Sequence, residues 1–288
     1  MKKLDKSEIV FKVLSYVLVT LFALSCLYPF IYSLSVSISS KQAVESGKIV
    51  FLPVDLDFKA LKALFTNKEY AKDFWIGYSN TLFYTLYGTI FSMVVSIMGA
   101  YALSRKKLLY RRQIMFFIVF TMWFSAGMMP SYFNFLDLNV TSRWGVVYAM
   151  GISTFNVILL RNYFEGISVE IEEAAKIDGA NDLQILTKIS VPMSKSAIAT
   201  ITLFYALSRW NGYFWVRQLT STEQHPLQVI IRKMVTGEDQ TSSPKNYDFS
   251  ITSLRYAAII LSIIPILIVY PYLQKYFAKG VNVGGVKE

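Results

Sequence analysis

Apolar residues fall in six long runs, at about 13–38, 76–104, 113–135, 144–163, 193–216 and 251–277, parted by polar, charge-bearing segments. Each run is near or above the roughly 20 residues that a helix needs to cross a hydrocarbon core of about 30 Å. The pattern predicts an all-α integral membrane protein with six transmembrane helices. The first run outlasts the roughly 7–15 apolar residues of a signal peptide, so it is expected to stay as a span; cleavage near 35–40, where small residues cluster, is the alternative. Residues 41–75 are polar, with FLPVDLDF reading as extended and KALKALF as helical. They predict an extracytoplasmic loop lying on the membrane face. In 217–250, Leu227, Ile230, Ile231, Met234 and Val235 recur at helical spacing while Arg232 and Lys233 take the other side. That is an amphipathic helix, expected to pack on the membrane surface or on the outer ends of spans.

Composition agrees: 54% of residues are hydrophobic and 16% aromatic, with a mean hydropathy of +0.40, too apolar for a soluble domain of this length. The net charge of +10 raises nucleic acid as a partner. Its basic residues flank the spans instead of forming an aromatic-interleaved face, which suits lipid headgroups and argues against nucleic-acid binding. Their placement also orients the chain. Lys2, Lys3, Lys6 and Lys12, then Arg105, Lys106, Lys107, Arg111 and Arg112, then Lys275, Lys279 and Lys287 fall on one side of a six-span arrangement. That side is expected to be cytoplasmic, with an N-terminal segment at 1–12 and a tail at 278–288. Cys26 lies within the first run and has no second cysteine with which to pair.

The polar island at 164–192 falls on the same side, yet it carries Glu165, Glu170, Glu172, Glu173, Asp178 and Asp182. An acidic loop would avoid anionic lipid, so it is expected to face protein. Locally it reads as helix, tight turn, helix. Ser168 is a candidate N-cap, the glutamates sit where the helix dipole favours carboxylates, and Gly179 can take a left-handed C-terminal cap. Asn181 or Asp182 can cap a second helix and Pro192 can open a third. Ile171, Ala174, Ala175 and Asp178 share one face, kept shallow by its alanines for close approach of another surface.

Glu173-Ala174-Ala175, Gly179, Ile189 and Val191-Pro192 resemble the cytoplasmic signature of ABC importer membrane subunits, with valine in place of leucine before the proline. With Asp178-Gly179-Ala180, the stretch from Arg161, WNGYF at 210–214 and the tail from Gln274, the likeness is to the carbohydrate-uptake branch, relatives of maltose and complex-polysaccharide permeases. The resemblance implies a type I ABC importer permease fold with a cytoplasmic coupling helix. It implies a bacterial plasma-membrane protein working with a second homologous permease, two ATP-binding subunits and an extracellular solute-binding protein. The ATPase-coupling residues would be Glu172, Glu173, Ala174, Ala175, Asp178, Gly179 and Ala180, and the cargo an oligosaccharide.

Absences set the remaining limits. The chain has no Gly-x-x-x-x-Gly-Lys-[Ser/Thr] phosphate loop, so ATP and magnesium are expected on the partner subunits, with no cofactor on this chain. Its one histidine, His225, reads as a solvated loop residue, and no zinc or acyl-transfer constellation appears. The spans hold few carboxylates and one clear intramembrane cation, Arg209, which argues against a proton-coupled carrier. A membrane enzyme acting on lipid-linked sugars would need paired carboxylates or histidines and is disfavoured too; a non-sugar solute is the remaining alternative. A sugar path needs aromatic faces mixed with amides and hydroxyls. In the fifth span Tyr205, Ser208, Asn211, Gly212 and Trp215 share a broad face, beside Trp210, Tyr213 and Phe214. Trp210 and Asn211 are the leading path candidates, although Trp210 lies roughly 27 Å of helix beyond Pro192, where an interfacial aromatic belt would also place it. Asn80, Tyr84 and Tyr87 in the second span and Trp123 in the third are further candidates.

Overall fold

The computed structural model describes residues 6–124, 126–238 and 247–280. In chain order its α-helices are α1 (Lys6–Ser37), α2 (Lys41–Glu45), α3 (Lys59–Thr66), α4 (Lys68–Ser104), α5 (Arg111–Trp123), α6 (Met128–Asp137), α7 (Arg143–Ala149) and α8 (Thr154–Glu165). They continue as α9 (Val169–Ile177), α10 (Asp182–Ile185), α11 (Val191–Met193), α12 (Lys195–Asn211), α13 (Phe214–Leu219), α14 (Leu227–Thr236) and α15 (Ile251–Gly280). A π-helical turn at Leu186–Ser190 joins α10 to α11.

Long apolar stretches able to cross a membrane lie in α1, α4 and α15, at Ser7–Ser37, Tyr70–Ser104 and Ile251–Pro271. The three other predicted spans are interrupted. The run at 113–135 is divided between α5 and α6: Gly127 has φ +87°, and Pro130 fits the first turn of the new helix, where no amide bond is lost. The run at 144–163 becomes α7 and α8, bent by 53°. A Cβ at Gly151 would lie 2.4 Å from the Phe91 ring of α4 and 3.0 Å from the Tyr148 carbonyl oxygen, so any larger residue would force the ring or the chain to shift. The run at 193–216 becomes α12 and α13, parted at Gly212, whose missing Cβ would meet the Ser208 carbonyl at 3.0 Å. At 17 residues α12 is about 26 Å long, just short of the hydrocarbon thickness.

The described residues form two compact units. In the first, from 1–74 and 231–264, Val36, Ala43 and Ile49 are buried with Tyr32, Val54 and Tyr256 against them. The predicted extended stretch is tied down by serines: Ser35 Oγ donates to the Phe51 carbonyl at 2.7 Å, and Ser39 Oγ accepts from the Val54 amide at 3.1 Å. KALKALF is helical as α3, burying Ala60, Ala63 and Leu64.

In the second unit, from 75–230 and 265–288, the core centres on Ala100, Leu160, Ile185 and Ile201. A satellite cluster gathers Tyr84, Val146, Val147, Val216 and Leu219. Here α4 holds the segment leading into α14. Asn80 Nδ2 donates to the carbonyls of Glu223 and His225 at 2.8 and 3.0 Å, while its oxygen accepts from Arg143 Nη1 at 3.1 Å. Thr81 Oγ1 accepts from the Leu227 amide at 2.8 Å, and Tyr84 Oη donates to the Gln224 carbonyl at 3.2 Å. His225 is therefore buried, not solvated as its loop position suggests. Leu227, Val229 and Ile230 are buried as well, and a Cβ at Gly77 would lie 2.8 Å from Ile230. The amphipathic start of α14 packs on protein.

Asn80→Ala removes one acceptor and two donors at a buried site, and each group left unpaired costs about 1–3 kcal/mol. The expected outcome is a lower unfolding temperature in detergent and faster tryptic cleavage at Arg217. An unchanged melting curve and digestion pattern would show that the tether carries no stability.

Candidate functional site

The polar island forms a helical hairpin. α9 ends in a Schellman cap: the Ala180 amide donates to the Ala175 carbonyl at 2.9 Å and the Gly179 amide to that of Lys176 at 3.1 Å, with Gly179 at φ +82°. Asn181 caps α10 through a reciprocal box with Gln184, both bonds at 2.9 Å. One local expectation fails. Ser168 makes no side-chain cap and donates instead to the Glu170 carboxylate. Pro192 does sit in the first turn of a short third helix, α11, although the π turn at Leu186–Ser190 carries the chain into it from α10 without a break. A proline ring presses on the carbonyl four residues back, and a widened turn there relieves the clash.

Ion pairs clamp the hairpin to the ends of α4 and α5. Glu172 is turned inward onto Arg105, whose guanidinium also lies 4.1 Å from the Tyr101 ring centroid. Glu165, at the end of α8, takes Arg111 at 2.5 Å and Arg161 at 2.6 Å. Ala175 and Ala180 pack on the core cluster, so they do not share the outer face with Ala174. That outer face carries Ile171, Glu173, Ala174, Ile177 and Asp178, all exposed, Ile177 to 86%.

A second feature lies within the same unit, a cavity of about 730 Å³. The five residues sharing a face in the fifth run, Tyr205, Ser208, Asn211, Gly212 and Trp215, all line it, with Tyr213 and Phe214. Its opposite wall is the interruption between α7 and α8, at Met150, Ile152 and Ser153, with Asn156 and Tyr84. The interrupted backbone is held by side chains of α12. Tyr205 Oη accepts from the Ser153 amide at 3.0 Å and shares a 2.7 Å hydrogen bond with Ser96 Oγ. Arg209 Nη2 donates to the Met150 carbonyl and to Ser92 Oγ, the latter at 3.2 Å. Gly88 of α4 makes room for Arg209: a Cβ there would lie 3.0 Å from Nε.

The other path candidates sit elsewhere. Trp210 is buried and meets Tyr78 edge to face, so it belongs neither to the cavity wall nor to a lipid-facing belt. Asn80 is engaged in the α14 tether, and Trp123 ends α5 with 86% exposure, away from the cavity. Sequence reasoning missed the wall at 150–156 and the clamps at Arg105 and Arg111. Gly151 in an otherwise helical run was the available signal for the first. Among the described residues no three His, Cys, Asp or Glu side chains gather as a metal site would need.

Non-helical backbone at membrane depth survives only where protein buries it or a cavity solvates it, and interrupted helices around a cavity recur in membrane transport proteins. Residues 89–283 match the family of the binding-protein-dependent transport system inner membrane component, and the chain belongs to that family. Its fold is that of an ABC importer permease. It is 37% identical to the polygalacturonan/rhamnogalacturonan transport system permease protein YtcP of Bacillus subtilis (strain 168), over 96% of this chain and 98% of that one. Protein LplC of the same organism is 30% identical over 90% of this chain and 88% of its own length. A chain in the crystal structure of a bacterial ABC transporter involved in the import of the acidic polysaccharide alginate superposes with a TM-score of 0.89 at 44% identity, covering 96% of this chain and all, 100%, of that one.

A Cβ at Gly179 would meet no atom within 4 Å, so substitution there tests backbone conformation alone. Gly179→Val should cost about 1–2 kcal/mol, whereas Gly179→Asn, which tolerates the left-handed region, should cost much less. Amide exchange at Ala180 is the readout, with protection falling about 5- to 30-fold for valine. Equal protection in both variants would mean that the cap does not hold the turn.

Proposed function

We propose that the chain forms part of the path by which an oligosaccharide or polysaccharide fragment crosses the bacterial plasma membrane in an ATP-driven importer. The cavity carries this reading: aromatic rings that stack on sugar C–H faces stand beside a tyrosine hydroxyl, a serine and two asparagines that can bond sugar hydroxyls. Its lining holds no Asp, Glu or His, so it offers no proton relay for an ion-coupled carrier. The names of the relatives point the same way.

The chain performs no catalysis. ATP and magnesium bind the two ATPase subunits, a second homologous permease completes the path, and a solute-binding protein delivers cargo from outside. Both termini and the hairpin face the cytoplasm. The exposed face of α9, with Ile177 and Glu173 at its crest, seats in the ATPase, while Glu172 braces the hairpin internally. Lys106, Lys107 and Arg112 around the clamp suit anionic lipid headgroups.

Uptake of labelled oligosaccharides by a deletion strain, restored by the intact gene, tests the cargo class. For coupling, Ile177→Asp places a charge in the centre of the proposed docking face, where truncations at such positions cost about 2 kcal/mol or more. The variant should insert at normal abundance, lose ATPase co-purification and import less than a tenth of the unmodified amount, roughly the effect of that energy. Normal co-purification and uptake would make the hairpin a plain connector.

A further inference from the structure

Two arginines tie the hairpin to the end of α4. Arg105 follows the last residue of that helix: its Nε donates to Ser104 Oγ at 3.1 Å, its guanidinium lies over the Tyr101 ring, and its Nη1 donates to the Glu172 carboxylate of α9. Arg111 opens α5. Its Nε donates at 2.8 Å to the Leu103 carbonyl, one of those that a helix end leaves without an intrahelical partner, and its Nη2 reaches Glu165 at the end of α8. Each guanidinium thus holds α4 with one nitrogen and the hairpin, or the helix leading into it, with another. The rigid fork of arginine allows that division; the single ammonium of a lysine does not.

The hairpin does not need this clamp to fold. Its turn is held by the cap at Gly179 and by the Asn181–Gln184 box, and Ile185 and Leu186 are buried in the core cluster. Without Arg111, Glu165 would still pair with Arg161 at 2.6 Å; without Arg105, Glu172 would still lie in the first turn of α9, where the helix dipole favours a carboxylate. The four clamp side chains keep between 15% and 32% of their surface exposed, so water also solvates the charges and the pairs add little stability. What they fix is position. Ala175 and Ala180 meet the core through apolar contacts, which are not directional and can slide, whereas a guanidinium bonded on both sides cannot. The clamped helices lead to the cavity: Ser96 and Ser92, about 12 and 18 Å of helix back from Ser104, bond to Tyr205 and Arg209, and α8 begins at the cavity wall.

We propose that Arg105 and Arg111 are positioning residues of the transport cycle, which make α4, α5 and α8 follow α9 so that the cavity responds to the ATPase. This rests on the seating of α9 in the ATPase proposed above and adds to it the residues that carry its motion inward. Arg105 passes a shift of α9 to α4 through Glu172, and Arg111 keeps the starts of α5 and of the hairpin in register through Glu165. With both arginines removed, α9 stays folded and keeps its exposed face, but it shifts under the ATPase while α4 stays behind. Nucleotide turnover then continues without a change at the cavity.

The test uses the full importer in nanodiscs, with partner permease, ATPases and solute-binding protein, and with Cys26→Ala and Ser208→Cys in this chain. A charged, water-soluble thiol reagent labels the cavity position, and its rate, read by mass on this chain, is compared without nucleotide and with ATP trapped by vanadate. The two rates should differ while the clamp is intact. In Arg105→Gln/Arg111→Gln the ATPases should still co-purify and hydrolyse ATP, while the effect of nucleotide on labelling shrinks at least about fivefold. Arg105→Glu, which sets two carboxylates against each other, should lose the response, and Arg105→Glu/Glu172→Arg, which restores the pair with its charges exchanged, should recover part of it. An undiminished response in Arg105→Gln/Arg111→Gln, or no recovery in the exchanged pair, would overturn the relay and leave the docking of α9 standing. Loss of the ATPases from Arg105→Gln/Arg111→Gln would overturn it as well, since the clamp would then serve docking and not transmission. No effect of nucleotide with the clamp intact would remove the relay and the docking reading together.

Discussion

A backbone amide or carbonyl kept from water without a partner costs several kcal/mol, and the chain between α7 and α8 leaves its helix against the packed surfaces of α4 and α12. The Tyr205 hydroxyl meets the Ser153 amide and the Arg209 guanidinium meets the Met150 carbonyl, so two side chains of α12 stand in for the missing helical bonds. Once those bonds exist, the interruption can line a cavity instead of collapsing. Gly151 lets the chain pass the Phe91 ring, Gly88 admits the arginine, and Gly212 turns the chain at the far end of α12. Packing is close at each of these points, which makes the cavity wall a built surface.

The same two helices join the cavity to the hairpin. α8 begins at the cavity wall and ends at Glu165, clamped by Arg111; α12 starts after the hairpin and ends at Asn211 on the cavity. They pack on each other through the core of the second unit. A displacement of α9 would thus be carried along rods of about 18 and 26 Å that finish at the cavity wall. The Arg105 clamp on Glu172 keeps α9 from moving independently of α4. The π turn at Leu186–Ser190 lies on this connection, where its wider hydrogen-bonded turn accommodates Pro192.

Local chemistry was legible in the sequence. Gly179 after an alanine-rich helix, Asn181 three residues before Gln184, and the helical spacing of Tyr205, Ser208, Asn211, Gly212 and Trp215 each specify geometry within a few residues, and the structure has that geometry. The helical class and the family were legible for the same reason. What escaped depends on partners far away along the chain. Asn80 looks like a path residue until Glu223 and His225 arrive beside it, and Glu172 looks like an outward charge until Arg105 closes on it. The interruptions of three runs escaped because hydropathy does not register them: Met150 to Ser153 is as apolar as a helix there would be. Gly151 was the one local hint, and the approach of Phe91 from another helix gives it its reason.

The central claim is that the interruption and the polar face of α12 enclose a water-filled, cargo-bearing cavity. Ser208 lines it and is exposed, which makes it the direct probe. In the assembled importer, with Cys26→Ala removing the native thiol, Ser208→Cys should react with a charged, water-soluble thiol reagent, and saturating cargo with its binding protein should slow that reaction. A cysteine at Phe117, on the exposed apolar side of α5, should stay inert in the lipid. Failure of Ser208→Cys to react, or reaction at a rate that cargo does not change, would contradict the account.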